Sequence, residues 1–131
     1  MDETGLRHEA AAFFDQFVEN FASFSGPRIV SLYAVPGLAI RGDGVVQVLQ
    51  SRPDLEAFFQ QAVDGYASLG CRACRYRELA VTPIGGRAML GSVTWDLLDA
   101  DGAVLKSWRQ SYNLAKLPEG WRIVASTEHL Y

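Results

Sequence analysis

The sequence predicts an α+β domain, with helices in its first half and a curved antiparallel sheet in its second. Three observations carry this prediction. Apolar residues recur at three- and four-residue spacing in two long stretches before Gly70. After Gly70 the pattern changes to alternation, the period of a half-buried strand. Turn residues then interrupt the alternation at fairly regular intervals, at Gly85-Gly86, Asp101-Gly102 and Pro118-Glu119-Gly120.

The first helix is expected over about residues 5–23. Leu6, Ala10, Phe13, Phe14, Phe17, Val18 and Phe21 form its apolar stripe, and Glu9, Asp15, Gln16, Glu19 and Asn20 fall on the other side. Gly26-Pro27 breaks the chain. A short helix at about 27–33 follows, with Ile29, Leu32 and Tyr33 inward, and Pro36-Gly37 ends it. Leu38 to Arg41 and Val45 to Leu49 then read as two strands around the turn Gly42-Asp43-Gly44.

Ser51-Arg52-Pro53-Asp54 is a capping box with a proline in the first turn, where its missing N–H costs nothing. Leu55, Phe58, Phe59, Ala62, Val63 and Tyr66 form the stripe of the helix it opens, and Gly70 is the stop. Four strands follow, at about 72–83, 87–98, 103–115 and 121–130, joined by tight turns into an antiparallel meander. Strict alternation places Met89, Val93, Trp95 and Leu97 on one face, with Trp108, Tyr112 and Leu114 and with Trp121, Ile123, Ala125, Thr127 and His129. The opposite face then carries Ser92, Thr94, Asp96, Arg109, Ser111, Asn113, Arg122, Val124, Ser126 and Glu128.

A chain of 131 residues is a common size for one domain, and residues 1–131 show no linker, repeat or low-complexity stretch. It can bury roughly two-thirds of its unfolded surface without staples. The composition, 49% apolar and 21% charged, is that of a globular protein. A net charge of −3 argues against nucleic acid as the main partner. No apolar run reaches the roughly 20 residues that span a bilayer. The acidic start Met1-Asp2-Glu3-Thr4 lacks the basic and apolar regions of a signal peptide, so a cytoplasmic location away from membranes is expected.

Cys71-Arg72-Ala73-Cys74 invites a metal or redox reading. The only histidines are His8 and His129, and a structural zinc needs four ligands. A redox pair usually opens a helix, whereas a strand follows here. The plainer reading is two small strand residues, and neither a metal nor a cofactor is expected.

The order helix, short helix, hairpin, helix and four-strand meander resembles the NTF2-like superfamily, which includes ketosteroid isomerase, scytalone dehydratase and the SnoaL-like polyketide cyclases. The resemblance rests on Phe13-Phe14 through Leu32-Tyr33-Ala34, on the hairpin feeding Ser51-Arg52-Pro53-Asp54-Leu55-Glu56-Ala57-Phe58-Phe59, and on Gly120-Trp121-Arg122-Ile123-Val124. It spans nearly the whole chain and implies a cone: a curved sheet around the first helix, with an apolar pocket at the open end. The superfamily holds enzymes, transport factors and oligomerisation modules, so the fold does not fix a reaction. A ketosteroid isomerase needs a carboxylate base, a first-helix tyrosine and a late protonated acid. Counting from the Leu32-Tyr33-Ala34 corner and from Trp121 places those positions at or next to Arg41, at Phe17 and at about Tyr112. None matches, which argues against that chemistry.

Several residues remain as candidates, each with a plainer reading. Tyr112, pointing into the cone beside Trp95 and Trp108, can donate to a ligand carbonyl, or it is a core tyrosine tied to a neighbour. His129, with Thr127 on the same face, can act as a base or donor near neutral pH, or it belongs to a frayed terminus. Arg41 can hold a carboxylate at the pocket mouth, or it is an exposed turn residue. Phe17, Tyr33 and Tyr66 can line the pocket, or they are core. Arg72, Arg75 and Arg77 read as partners of nearby acids. Two functions are therefore open. The first is a small-molecule-binding protein for an apolar or aromatic ligand, of the isomerase, cyclase or dehydratase kind if it is an enzyme. The second is a non-catalytic dimeric interaction or carrier module. A homodimer through the outer sheet face is expected in either case, as the family's sheet-to-sheet dimers suggest.

Overall fold

The computed structural model describes residues 3–129. Its elements run α1 (Glu3–Ala22), α2 (Gly26–Val30), β1 (Tyr33–Ile40), β2 (Val46–Leu49), α3 (Arg52–Ser68), β3 (Ala73–Pro83), β4 (Ala88–Leu98), β5 (Val104–Leu117) and β6 (Gly120–Glu128). The six strands form one sheet in the order β2-β1-β6-β5-β4-β3. The expected meander is its β3-to-β6 half. The pairing of β1 with β6 is parallel, and every other pairing is antiparallel.

The helices begin and end where side-chain chemistry dictates. The Ser51 hydroxyl accepts the Asp54 N–H at 3.2 Å and opens α3. At its other end, the Gly70 N–H bonds the Ala67 carbonyl and the Cys71 N–H bonds the Tyr66 carbonyl, both at 3.0 Å. That pattern needs a left-handed residue, and Gly70 has φ +93°. The short second helix ends at Val30, and Tyr33 belongs to β1 instead of the helix the sequence suggested. Aromatic residues favour strands, and the Ile123 N–H bonds the Leu32 carbonyl at 2.9 Å, which seats this segment on the sheet.

α1 lies across the concave face of the sheet and buries Leu6, Ala10, Phe13, Phe14, Phe17 and Phe21. Gly91 permits the approach. A Cβ there would lie 3.2 Å from the ring edge of Phe14. Gly26 has the same role between α2 and α3, where a Cβ would lie 2.5 Å from the Glu56 carbonyl oxygen. Gln60 of α3 secures that contact by accepting the Gly26 N–H at 2.7 Å and donating to the Phe24 carbonyl at 3.0 Å.

The sheet curves through bulges. One lies in β3 between Arg77 and Ala80, where Glu78 has φ +57°. Another lies in β6, where Leu114 pairs with Ile123 but Asn113 pairs with Ala125, leaving Val124 surplus. β1 is irregular at the same level, between Tyr33 and Leu38.

The β6 bulge corrects the expected faces of the last strand. A single extra residue transfers every later side chain to the other face. Trp121 and Ile123 point into the core as expected. Beyond Val124, Ser126 and Glu128 turn inward, opposite Tyr112 and Gln110. Thr127 and His129 turn outward. The His129 Nε2 lies 2.8 Å from the Ser111 hydroxyl, which lies 2.6 Å from the Ser92 hydroxyl, all on the convex face.

Candidate functional site

A cavity of about 110 Å³ opens between the helices and the concave face of the sheet. α1 contributes Phe17 and Phe21, and α2 contributes Ile29. α3 presents Phe59, Ala62, Val63 and Tyr66. Tyr33 starts β1, and β3 and β4 add Cys74, Trp95 and Leu97. Trp108, Gln110 and Tyr112 come from β5, and Ser126 and Glu128 from β6. Alternation along each strand brings these residues together, because β4 offers 95 and 97 and β5 offers 108, 110 and 112. The rings pack closely, with Tyr33 4.9 Å from Phe59 and Phe17 5.1 Å from Trp95 between centroids.

The polar groups differ in depth. Tyr112 is 2% exposed and Tyr33 is 6% exposed, whereas Glu128 is exposed at the rim. The Trp95 Nε1–H donates to the Tyr112 hydroxyl oxygen at 2.7 Å. That oxygen is thereby satisfied as an acceptor, while its own proton finds no acceptor among the described residues. The Tyr33 side chain is buried, but its hydroxyl makes no hydrogen bond with any described residue and is not a fully enclosed atom, and the hydroxyl of the half-buried Tyr66 makes none either. Burial pushes all three phenols above the ordinary tyrosine range, with Glu128 adding to the effect on Tyr66 and Tyr33 to that on Tyr112. They are therefore neutral O–H donors at physiological pH.

At the rim, the Glu128 carboxylate accepts the Gly42 N–H at 3.1 Å and has no ion pair among the described residues. The Trp108 Nε1–H donates to the Gln110 side-chain oxygen at 2.8 Å, and the Lys106 ammonium stands 5.3 Å from the centroid of the Trp108 ring.

Of the residues picked out from the sequence, Phe17, Tyr33, Tyr66, Trp95, Trp108 and Tyr112 lie in this lining. Thr127 and His129 do not, because the β6 bulge turns them to the convex face. Arg41 does not either: it sits in the hairpin turn, exposed, 3.6 Å from Asp43. Sequence reasoning missed Glu128, Gln110 and Ser126. One sign of the missed pair was present, since neither Ala125-Thr127-His129 nor Val124-Ser126-Glu128 is an apolar set.

The cysteines are buried free thiols. Burial, with Cys71 adding to it, pushes the Cys74 thiol up to about 12, far from reactive thiolate. No group of three or more His, Cys, Asp or Glu side chains among the described residues is placed to hold a metal ion. No helix of the described residues is long and apolar enough to cross a membrane. The basic stretch of β3 has a structural partner: the Arg75 and Arg77 Nε atoms lie 2.8 and 3.0 Å from the Asp96 carboxylate.

A cone of this kind, with an aromatic cavity at its open end, defines the NTF2-like class of proteins. The chain belongs to the family described as NTF2-like protein (DUF6841), whose model matches residues 8–130. No curated protein matches the sequence. Among solved structures it is similar to Aln2 from a Streptomyces species, with 14% identity over 99% of this chain and 94% of that one and a TM-score of 0.77. It is also similar to an NTF2-like protein with a cystatin-like fold from Novosphingobium aromaticivorans, with 17% identity over 98% and 90% of the two chains and a TM-score of 0.75. A third is a domain of unknown function with a cystatin-like fold from Nostoc punctiforme, with 22% identity over 99% and 77% and a TM-score of 0.73. At these identities the likeness establishes the fold.

Proposed function

We propose that this protein binds a small, largely apolar molecule carrying a hydrogen-bond acceptor such as a carbonyl oxygen. The observation that carries the reading is the Tyr33 hydroxyl, which belongs to a cavity-lining residue, is neutral, and makes no hydrogen bond with any described residue. No buried side-chain nitrogen or oxygen among the described residues lacks a partner, so this oxygen is open to the cavity. A donor left open to a cavity can pair with a ligand acceptor without breaking any hydrogen bond of the fold. Tyr112 supplies a second proton to the same cavity, with Trp95 fixing its oxygen. The volume sets the scale. A cavity of about 110 Å³ is somewhat smaller than the ~150 Å³ cavity that admits benzene, so a single ring fits with its far end reaching the open mouth.

The test is binding of 4-ethylacetophenone, followed by ligand-observed NMR, with native mass spectrometry of freshly purified protein as a search for a retained molecule. Saturable binding that weakens in Tyr33→Phe supports the reading. Absence of binding, or binding indifferent to Tyr33 and Tyr112 alike, overturns it. Turnover of the isomerase, cyclase or dehydratase kind needs a proton acceptor beside the ligand as well. Glu128 is the one carboxylate in the lining, so loss of turnover in Glu128→Gln is the corresponding test.

A second reading, a dimeric interaction module, is favoured by a separate observation. On the convex face, Leu38 pairs with Val48 and Ile40 with Val46. Leu38 is 44%, Val46 58% and Val48 55% exposed, which gathers aliphatic surface at one edge of the sheet. Light scattering at micromolar concentration decides it: a dimer converted to monomer by Val46→Glu supports this face as the contact, and a monomeric mass for the unaltered chain counts against it.

A further inference from the structure

Resting on the small-molecule reading above, we infer that the ligand carries a protonated amine at the end opposite its acceptor, held at the cavity mouth by Glu128 and the rim aromatics. The cavity lining includes one charged side chain, and it is acidic. Glu128 is held in place by the Gly42 N–H, yet no basic group pairs with it among the described residues. The nearer rim surface is the ring of Trp108 and the phenol of Tyr66, both half-buried and both in the lining. Aromatic faces beside a carboxylate attract ammonium groups and give nothing to a carboxylate ligand.

The chain already shows this preference in itself, since the Lys106 ammonium rests over the Trp108 ring at 5.3 Å. Lys106 is exposed and borders the neighbouring hollow formed with Tyr66, Leu69 and Leu97. It is thus a competitor for the same aromatic surface and a like charge for an incoming amine. The two ends of the cavity then ask for different groups. The inner end offers O–H donors and wants an acceptor, and the outer end offers a carboxylate and ring faces and wants a cation. An acceptor-bearing amine, with one ring or its equivalent between the two groups, satisfies both.

A matched series tests this by titration calorimetry at low salt: 4-ethylacetophenone, 4-(aminomethyl)acetophenone and 4-acetylbenzoate. The amine is expected to bind about tenfold more tightly than the neutral ketone, a gain of the size that an exposed ion pair and a ring contact give together. The benzoate is expected to bind more weakly than either. Glu128→Gln should erase the preference for the amine over the neutral ketone. Lys106→Met should strengthen amine binding. Equal affinity for amine and neutral ketone overturns the inference and leaves the small-molecule reading standing. A preference for the benzoate that disappears in Lys106→Met overturns it in favour of an anionic ligand. Failure of all three probes removes the small-molecule reading and the inference together.

Discussion

The indole N–H of Trp95 donates to the hydroxyl of Tyr112 at 2.7 Å, between two residues that are 3% and 2% exposed. The strands set this bond: Trp95 and Tyr112 are inward positions on neighbouring strands, and Phe14 and Phe17 of α1 pack on both rings. The bond fixes the oxygen of Tyr112 and leaves its proton directed elsewhere.

Tyr112→Phe deletes the acceptor and leaves the Trp95 N–H buried and unpaired. The cost is expected at about 1–3 kcal/mol of folding stability, the penalty of an orphaned polar group. Adding Trp95→Phe removes the orphan but opens a cavity, so the double variant should lose less than the two single losses summed. Urea denaturation of the four proteins checks this, and strict additivity would mean that the bond contributes nothing.

Tyr33→Phe should behave in the opposite way. Its hydroxyl has no partner among the described residues and opens to the cavity, so removing it costs the empty protein no internal hydrogen bond and should leave the melting temperature unchanged. Ligand affinity should fall several-fold in the same variant. A destabilised Tyr33→Phe protein would show that the hydroxyl is already satisfied within the fold.

Asp96 carries a pH prediction. It is 1% exposed and accepts hydrogen bonds from Ser107, Arg77 and Arg75. Burial opposes its charge, but these partners together outweigh burial and hold its pKa at about 2, below the ordinary 3.8. A carboxyl with a depressed folded pKa contributes stability that is fully present above its unfolded value. That stability is lost as pH falls from about 4 through about 2. The amount is on the order of 2 kcal/mol. Asp96→Asn should therefore be less stable than the parent at pH 7, and the gap should narrow below pH 3. A gap that stays constant between pH 7 and pH 2.5 would count against this origin.

Much of the fold was legible in the sequence because local signals agreed. Ser51 and Gly70 delimit α3 through hydrogen bonds that any capping box and left-handed glycine would make, and Gly85, Gly102 and Gly120 sit in turns with positive φ. The aromatic half of the cavity was legible too, since Trp95, Trp108 and Tyr112 follow unbroken alternation. The rim was not. Val124 is an ordinary strand residue in an ordinary strand, and no glycine or proline beside it marks the bulge. The bulge stands level with the irregularity of β1 between Tyr33 and Leu38, on a strand far away in sequence. Alternation carried through Val124 therefore selects Thr127 and His129 and hides Ser126 and Glu128. The parallel pairing of β1 with β6 was hidden for the same reason, because no turn joins those strands.

That displacement yields the sharpest test of the site. The two assignments of β6 differ in every side chain after Ile123, so substitutions on alternate residues separate them. Ser126 is 7% exposed and lines the cavity opposite Tyr112, so Ser126→Leu should fill the space and abolish binding of 4-ethylacetophenone. Thr127 and His129 face away, so Thr127→Val and His129→Ala should leave its affinity within about twofold, the ordinary range for surface changes away from a site. His129→Ala should show its effect elsewhere, as a small loss of stability from the Ser92–Ser111–His129 hydrogen bonds. Circular dichroism confirms that each variant is folded before it is titrated. Loss of binding in Thr127→Val and His129→Ala, with Ser126→Leu unaffected, would place the unbroken alternation in solution and remove Glu128 from the cavity.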